Sequence, residues 1–305
     1  MKSGSLQSSI IKVLENIQQN KSDANALKRS LQYYSGKISF YFKQQLRYYF
    51  YILTHPVEFS RSKNSIYVIY NMGKVGSTTL FSTLWEKLPH SLLHHVHFMS
   101  KNGLKKREDF YANPDITKDD KALVQFIEKN SHKKLKIITL VREPVSRDIS
   151  DLFQSLPIYF PDKSSSEITV NDLTNQIKIN NFEHTLSWFD DEFLEYLNFD
   201  IYAQSFDPAK GYEIYKQDKL EILVIRLEDL SKCYHTALKE FTGIDFPKLV
   251  NTNLTDEKDS AVLNKNLKKE FKMGRHKLEE VYASKYVRHF YSQEEINSFF
   301  NKYSN

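Results

Sequence analysis

Residues 65–88 read SIYVIYNMGKVGSTTLFSTLWEKL, and the hydrophobic pattern changes character twice within them. Ser65 to Met72 is a nearly continuous apolar and β-branched run, the pattern of a strand buried on both faces of a parallel sheet. Gly73 and Gly76 then interrupt the run. Beyond Ser77 the residues Leu80, Phe81, Leu84, Trp85 and Leu88 recur at helical spacing behind a cluster of hydroxyl side chains, which predicts a helix start. The stretch reads as strand, tight loop and helix, and ligands of open α/β sheets bind at such carboxyl strand ends.

The alternation recurs. Ser91 to Phe98, Leu135 to Val141 and Glu221 to Leu227 predict strands, and Lys118 to Asn130 predicts a helix. An α/β fold with parallel crossovers follows as the default. Between residues 157 and 219 the pattern loosens into aromatic and acidic residues with a helical stretch at Glu183 to Leu197, which predicts a substrate-side insertion over the sheet edge. Phe153, Tyr159, Phe160, Trp188, Phe189 and Tyr196 are equally candidates for pocket wall and for core.

The chain has 305 residues, 40% apolar and 27% charged, which excludes collagen-like, wholly disordered and multi-span membrane classes. With Cys233 as its one cysteine it has no internal disulfide and no cysteine-rich zinc site. No signal peptide or membrane anchor is visible near the N-terminus, so a cytoplasmic protein is expected. Residues 1–60 carry eight bases against three acids and hold the whole net charge of +5. They predict a basic, helical N-terminal appendage, with residues 61–305 as the α/β domain. We expect the Tyr and Phe stripe of the appendage to pack on the main domain; peripheral contact with an anionic membrane is the alternative. Residues 61–305 carry no net positive charge, so no specific nucleic-acid partner is expected.

The loop at residues 71–79 is suited to an anion. Gly73 and Gly76 permit close backbone approach, the amides near Ser77, Thr78 and Thr79 and the helix dipole favour phosphate, and Lys74 adds a mobile charge. The triphosphatase pattern G-x-x-x-x-G-K-[ST] fails here, because the lysine precedes the second glycine. A plain strand-to-helix turn is the alternative. A second anion site is expected at IITLVREPVSRDISDLF, residues 137–153, where Arg142 at a strand end and Ser150 eight residues on would clasp a phosphate. The alternative there is Arg142 paired with Glu143 or Asp148.

The pair NMGKVGSTTL and LVREPVSRDISDLF resembles the two cofactor motifs of sulfotransferases that use 3′-phosphoadenosine 5′-phosphosulfate. More narrowly, the chain resembles bacterial capsular polysaccharide synthesis proteins related to those enzymes, including its ending FYSQEEINSFFNKYSN. RLEDL at Arg226 to Leu230 resembles a further recurring segment. The resemblance implies a P-loop-like three-layer fold and transfer of a sulfuryl group to a hydroxyl of a glycan or glycan precursor. It implies that Lys74, Val75, Gly76, Ser77, Thr78 and Thr79 hold the 5′-phosphosulfate and that Arg142 and Ser150 hold the 3′-phosphate; Arg147 is common in such motifs, with bracing of the loop as its alternative role. No metal is expected, since fixed cations would neutralise the bisphosphate. A non-catalytic nucleotide-binding assembly protein and a nucleotide-dependent kinase are the alternatives.

A base for the acceptor hydroxyl is expected in HSLLHHVHF, which offers His90, His94, His95 and His97. Strand geometry puts His95 and His97 on one face and His94 on the other, and the resemblance favours His95 or His97. Asp148, Asp151 and Glu183 are the fallback bases. Lys268, Lys269, Lys272, Arg275, His276 and Lys277 form a late basic cluster, read either as a solvated helix face or, by the resemblance, as a loop over the 3′-phosphate.

Overall fold

SIYVIY, Ser65–Tyr70, is buried along its whole length and forms β1, the strand on which the remaining sheet is laid. The computed structural model describes residues 51–88, 92–164, 167–250, 267 and 270–304. Residues 1–50, His90, Asn251, Asn253, Lys268 and Lys269 lie outside these, and so do most of the N-terminal appendage and part of the basic cluster. The chain divides between Phe59 and Ser60 into two compact units.

The larger unit is a mixed α/β structure around a five-stranded sheet. β1, β2 (Leu93–Val96), β3 (Lys134–Val141) and β5 (Leu220–Arg226) are mutually parallel, and β4 (Tyr212–Gln217) runs antiparallel on the outside of β5. The order is β2-β1-β3-β5-β4. The default of parallel crossovers therefore fails at one edge. Tyr212–Gln217 buries only Tyr212 and Tyr215 and exposes Lys216 and Gln217, as an edge strand can, and reaches β5 through a two-residue turn in which Asp218 takes the left-handed conformation, φ 52°. The segment expected to lie over the sheet edge thus builds that edge.

Period-two alternation sorts the strands' side chains onto two faces, and a different set of helices covers each. Ile69 pairs in register with His95, and His95 stacks on Phe81 of the Ser77–Trp85 helix. On the same face Lys136 lies over the rings of Tyr67 and Phe241, the latter from the Leu230–Thr242 helix. On the other face His94 meets Phe126 of the Lys118–Lys129 helix, and Tyr70 packs edge-on to Trp188 at 5.2 Å. Trp188 and Phe189 are buried and belong to this core, not to a pocket wall. They join Phe193, Tyr286 and Phe290 in one aromatic cluster that ties the Glu183–Leu197 region to the C-terminal helices.

All four parallel strands end on one edge. The loop after Tyr70, His97 after Val96, Arg142 after Val141 and the RLEDL segment after Ile225 therefore emerge together. Arg226, 3% exposed, fixes the last of these: its guanidinium donates to Asp229, to the Phe290 carbonyl at 3.2 Å and to Glu295 at 2.7 Å. One buried cation so anchors the helices Lys285–Phe290 and Gln293–Tyr303 to β5. Arg226→Ala leaves the carboxylates without their buried partner and is expected to cost about 3–5 kcal/mol, read as a lower urea midpoint at unchanged slope.

Candidate functional site

The loop from Asn71 to Gly76 turns through two left-handed residues, Lys74 at φ 70° and Gly76 at φ 85°. The first is unusual, because left-handed backbone costs roughly 1–2 kcal/mol for a residue with a side chain. Two guanidiniums hold it there. Arg142 donates from Nη1 to the Lys74 carbonyl at 2.9 Å, and Arg147 from Nε to the Gly73 carbonyl at 3.0 Å. With the carbonyls drawn to the arginines, the turn passes directly into the Ser77–Trp85 helix, whose N-cap Gly76 supplies no capping side chain. No N-cap side chain takes an amide of that first turn, and a helix start of this kind is suited to an anion.

The expected ligand-holding residues divide by exposure. Val75 is fully buried, so only its backbone can serve a ligand; Ser77 and Thr79 are nearly buried, and Thr78 is exposed. Lys74 is half-buried and forms no ion pair among the described residues. Its pKa is lowered, first by burial and then by Arg147 and Arg142, against an opposing pull from Asp151.

Arg142 sits at the end of β3 with its backbone clamped by one phenol: its N–H donates to Tyr286 Oη at 3.1 Å, and that hydroxyl donates to the Arg142 carbonyl at 2.9 Å. Neither of the alternative ion pairs of Arg142, to Glu143 or Asp148, forms among the described residues. Glu143 instead caps the Pro144–Gln154 helix, accepting from Val145 N and Ser146 N, and also accepts from Tyr282 Oη at 2.9 Å. Ser150 lies half-buried six residues into that helix. Arg147 is the brace its position suggested: 4% exposed, it pairs with Asp148 at 3.1 Å and Asp151 at 3.4 Å while reaching the loop. Thr185 Oγ1 donates to Asp148 at 2.5 Å, so Asp148 is buried and fully engaged, while Asp151 stays partly open.

His95 and His97 lie on one side, ring centroids 5.0 Å apart, and His94 lies on the other. β2 ends at Val96, so His97 stands one residue beyond the strand and closer to the loop. Its Nδ1 is 2.7 Å from the Asn71 carbonyl, which can only accept, so Nδ1 carries the proton and Nε2 keeps a free lone pair. Burial lowers the pKa of His97, with Arg107 and Arg147 adding to the effect and Asp151 and the Asn71 bond opposing it. A neutral imidazole with a free Nε2 at neutral pH is a competent base. His95 is exposed on its outer side, and crowding followed by the His97 charge lowers its pKa too. Among the described residues no group of three or more His, Cys, Asp and Glu side chains is set to hold a metal ion.

Two further residues belong here that the sequence did not single out. His184 lies against Phe98, centroids 6.0 Å apart, with its pKa pushed down to about 3 by burial and then by Arg147. Glu192, 1% exposed in the π-helix Phe189–Leu197, accepts from Tyr70 Oη, Met99 N, Ser100 N and Ser100 Oγ. No local signal marks Glu192; its partners are some ninety or more residues away. Of the late basic cluster, Arg275 and Lys277 pair with Glu279 and Glu280 of their own helix, and Lys272, ahead of that helix, donates to the Lys302 carbonyl at 2.9 Å.

A family model described as "Putative capsular polysaccharide synthesis protein" matches residues 163–292. No curated protein and no solved structure matches the chain. The matched stretch begins beyond the glycine loop and the Arg142 turn, and contains Glu192, Arg226–Leu230 and Tyr286.

Gly76→Ala places a Cβ 2.6 Å from Leu227 Cδ1 at a left-handed residue. It is expected to lower stability by about 1–2 kcal/mol, measured by urea unfolding. A pH dependence follows from His94, whose burial lowers its pKa to about 4 from 6.5. Between those values the unfolded chain binds the proton and the folded chain does not, so the stability present above pH 6.5 is lost as the pH falls toward 4. His94→Leu should flatten the decline in unfolding midpoint between pH 7 and pH 5.

Proposed function

We propose that the carboxyl edge of this sheet binds 3′-phosphoadenosine 5′-phosphosulfate and transfers its sulfuryl group to a hydroxyl of a glycan or glycan precursor, in capsular or other surface polysaccharide synthesis. The observation that carries the reading is the loop itself: two arginines take its carbonyls, and an unpaired Lys74 and an uncapped helix start are left for an anion. Arg142, at the next strand end, supplies the second cationic group that a 3′,5′-bisphosphate requires. On this reading the strand–loop–helix unit is P-loop-like, with its lysine inside the turn. The description of the matching family supports the polysaccharide setting.

The chemistry asked of the protein is positioning and charge stabilisation. As the acceptor oxygen bonds to sulfur and the bond from sulfur to the 5′-phosphate oxygen breaks, Lys74 and the amides of Ser77, Thr78 and Thr79 hold the charge that collects on the leaving phosphate. His97 Nε2, or His95, takes the hydroxyl proton. Fixed cations do the work of neutralisation, so turnover is expected to survive a chelator.

Calorimetry with adenosine 3′,5′-bisphosphate, adenosine 5′-monophosphate and ATP tests the donor site. The bisphosphate is expected to bind tightest, and Ser150→Ala to weaken it by about ten- to a hundredfold, as loss of one hydrogen bond to a charged group does, while the monophosphate is unaffected. Arg142→Ala should erase the preference and loosen the loop as well, since its guanidinium also holds Lys74. Tightest binding of ATP, or binding of none, overturns the reading. With an acceptor in hand, His95→Ala or His97→Ala should cost about 10²-fold or more in turnover; two fully active variants would exclude a histidine base.

A further inference from the structure

We infer that Glu192 is the positioning residue of His97: its buried carboxylate fixes both the backbone that carries the imidazole and the carbonyl that selects the imidazole's tautomer. His97 is held at two points. One is the Asn71 carbonyl, accepting from Nδ1–H. The other is its own chain, which continues through Phe98 to Met99 and Ser100, whose two amides donate to Glu192 Oε2 at 2.9 and 3.0 Å. The same oxygen receives the hydroxyl of Tyr70, the residue immediately before Asn71. One carboxylate oxygen so joins the end of β1 to the segment leaving β2, and the His97–Asn71 bond spans the gap they define.

Backbone N–H groups cannot accept, and Ser100 Oγ already accepts from Gly103 N at 2.8 Å, so its hydrogen points to Glu192 Oε1. Every partner donates, which favours the carboxylate, while burial pulls the other way and raises its pKa. No salt bridge to a cation forms among the described residues. Its surroundings leave no slack, since a Cβ on Gly103 would meet Glu192 Oε1 at 1.6 Å. A buried charge held this way is costly to displace, because each freed amide would lie in the core unpaired.

The residue sits in a π-helix, whose wider turn is a recurrent feature of functional sites. The catalytic meaning of the inference rests on the sulfotransferase reading; the geometric claim does not, and the test keeps the two apart. Nitrogen-15 and carbon-13 NMR of the histidine rings in the full chain, at a pH where His97 is neutral, reports its tautomer without any substrate. In the wild type His97 is expected as the Nδ1–H form. Glu192→Ala should shift it toward the Nε2–H form that predominates in a solvated imidazole, with His94 unchanged. Glu192→Gln should keep the wild-type tautomer, since an amide oxygen can replace Oε2 and the amide NH₂ can donate to Ser100 Oγ.

Where Glu192→Ala does not fold, Glu192→Asp carries the test: it keeps the charge and withdraws it by one methylene, and it should move the tautomer in the same direction. A folded Ala or Asp variant with His97 still wholly Nδ1–H overturns the inference. Loss of the tautomer in Glu192→Gln to the same extent as in Glu192→Ala overturns it as well, for the amide should suffice. Failure of the nucleotide calorimetry with the NMR outcome as expected would remove the sulfotransferase reading and leave the positioning role standing.

Discussion

The hydrogen bonds from Arg142 and Arg147 to the carbonyls of Lys74 and Gly73 are the constraint on which the rest of the site depends. A tight turn has carbonyls and amides to dispose of, and what it can bind is decided by which set the protein satisfies internally. Here cationic donors from the neighbouring strand and its helix take two carbonyls of the turn, and on the proposed reading its amides face an anion. The same two bonds hold Lys74 in a left-handed conformation that a lysine would otherwise leave.

Arg142 can do this only if its own position is fixed, and the C-terminal helices supply that. Tyr286 clamps its backbone, Tyr282 holds Glu143, and Tyr303 shares a hydrogen bond with Ser146. Burial raises the pKa of each phenol, so all three stay protonated hydroxyls across the physiological range. Arg226 and Leu227 complete the frame, the first by anchoring the Gln293–Tyr303 helix and the second by packing against Gly76. Residues separated by more than two hundred positions thus converge on one turn.

Local chemistry was legible in the sequence where it repeats at short range. The continuous apolar run of β1, the helical spacing after Ser77 and the buried strands at β3 and β5 could be read because each pattern is completed within about ten residues. β4 was missed because a short edge strand that buries only two of its six residues resembles a polar loop. Trp188 and Phe189 could not be assigned to core or pocket, since aromatic content says nothing about which side of a helix meets the sheet. Glu192 was invisible for a stronger reason: one carboxylate among many, it is distinguished only by donors brought to it through the fold.

That difference bears on where the family match falls. The glycine loop is short and made of common residues, and a plain strand-to-helix turn can use the same ones. Residues 163–292 hold several of the groups that support it: Glu192 on the Met99 and Ser100 amides, Glu228 accepting from Glu143 N at 2.8 Å, Arg226 within its carboxylates and Tyr286 on Arg142. Glu192, Arg226 and Tyr286 are buried and each satisfies several partners, so substitution at any of them strands polar groups in the core. A frame of this kind constrains its sequence more tightly than the exposed groups it positions, since Thr78 and His95 must satisfy no buried partner. The matched stretch contains part of this frame, while Arg142, Arg147, Glu295, Tyr303 and the groups that would meet an anion lie outside it.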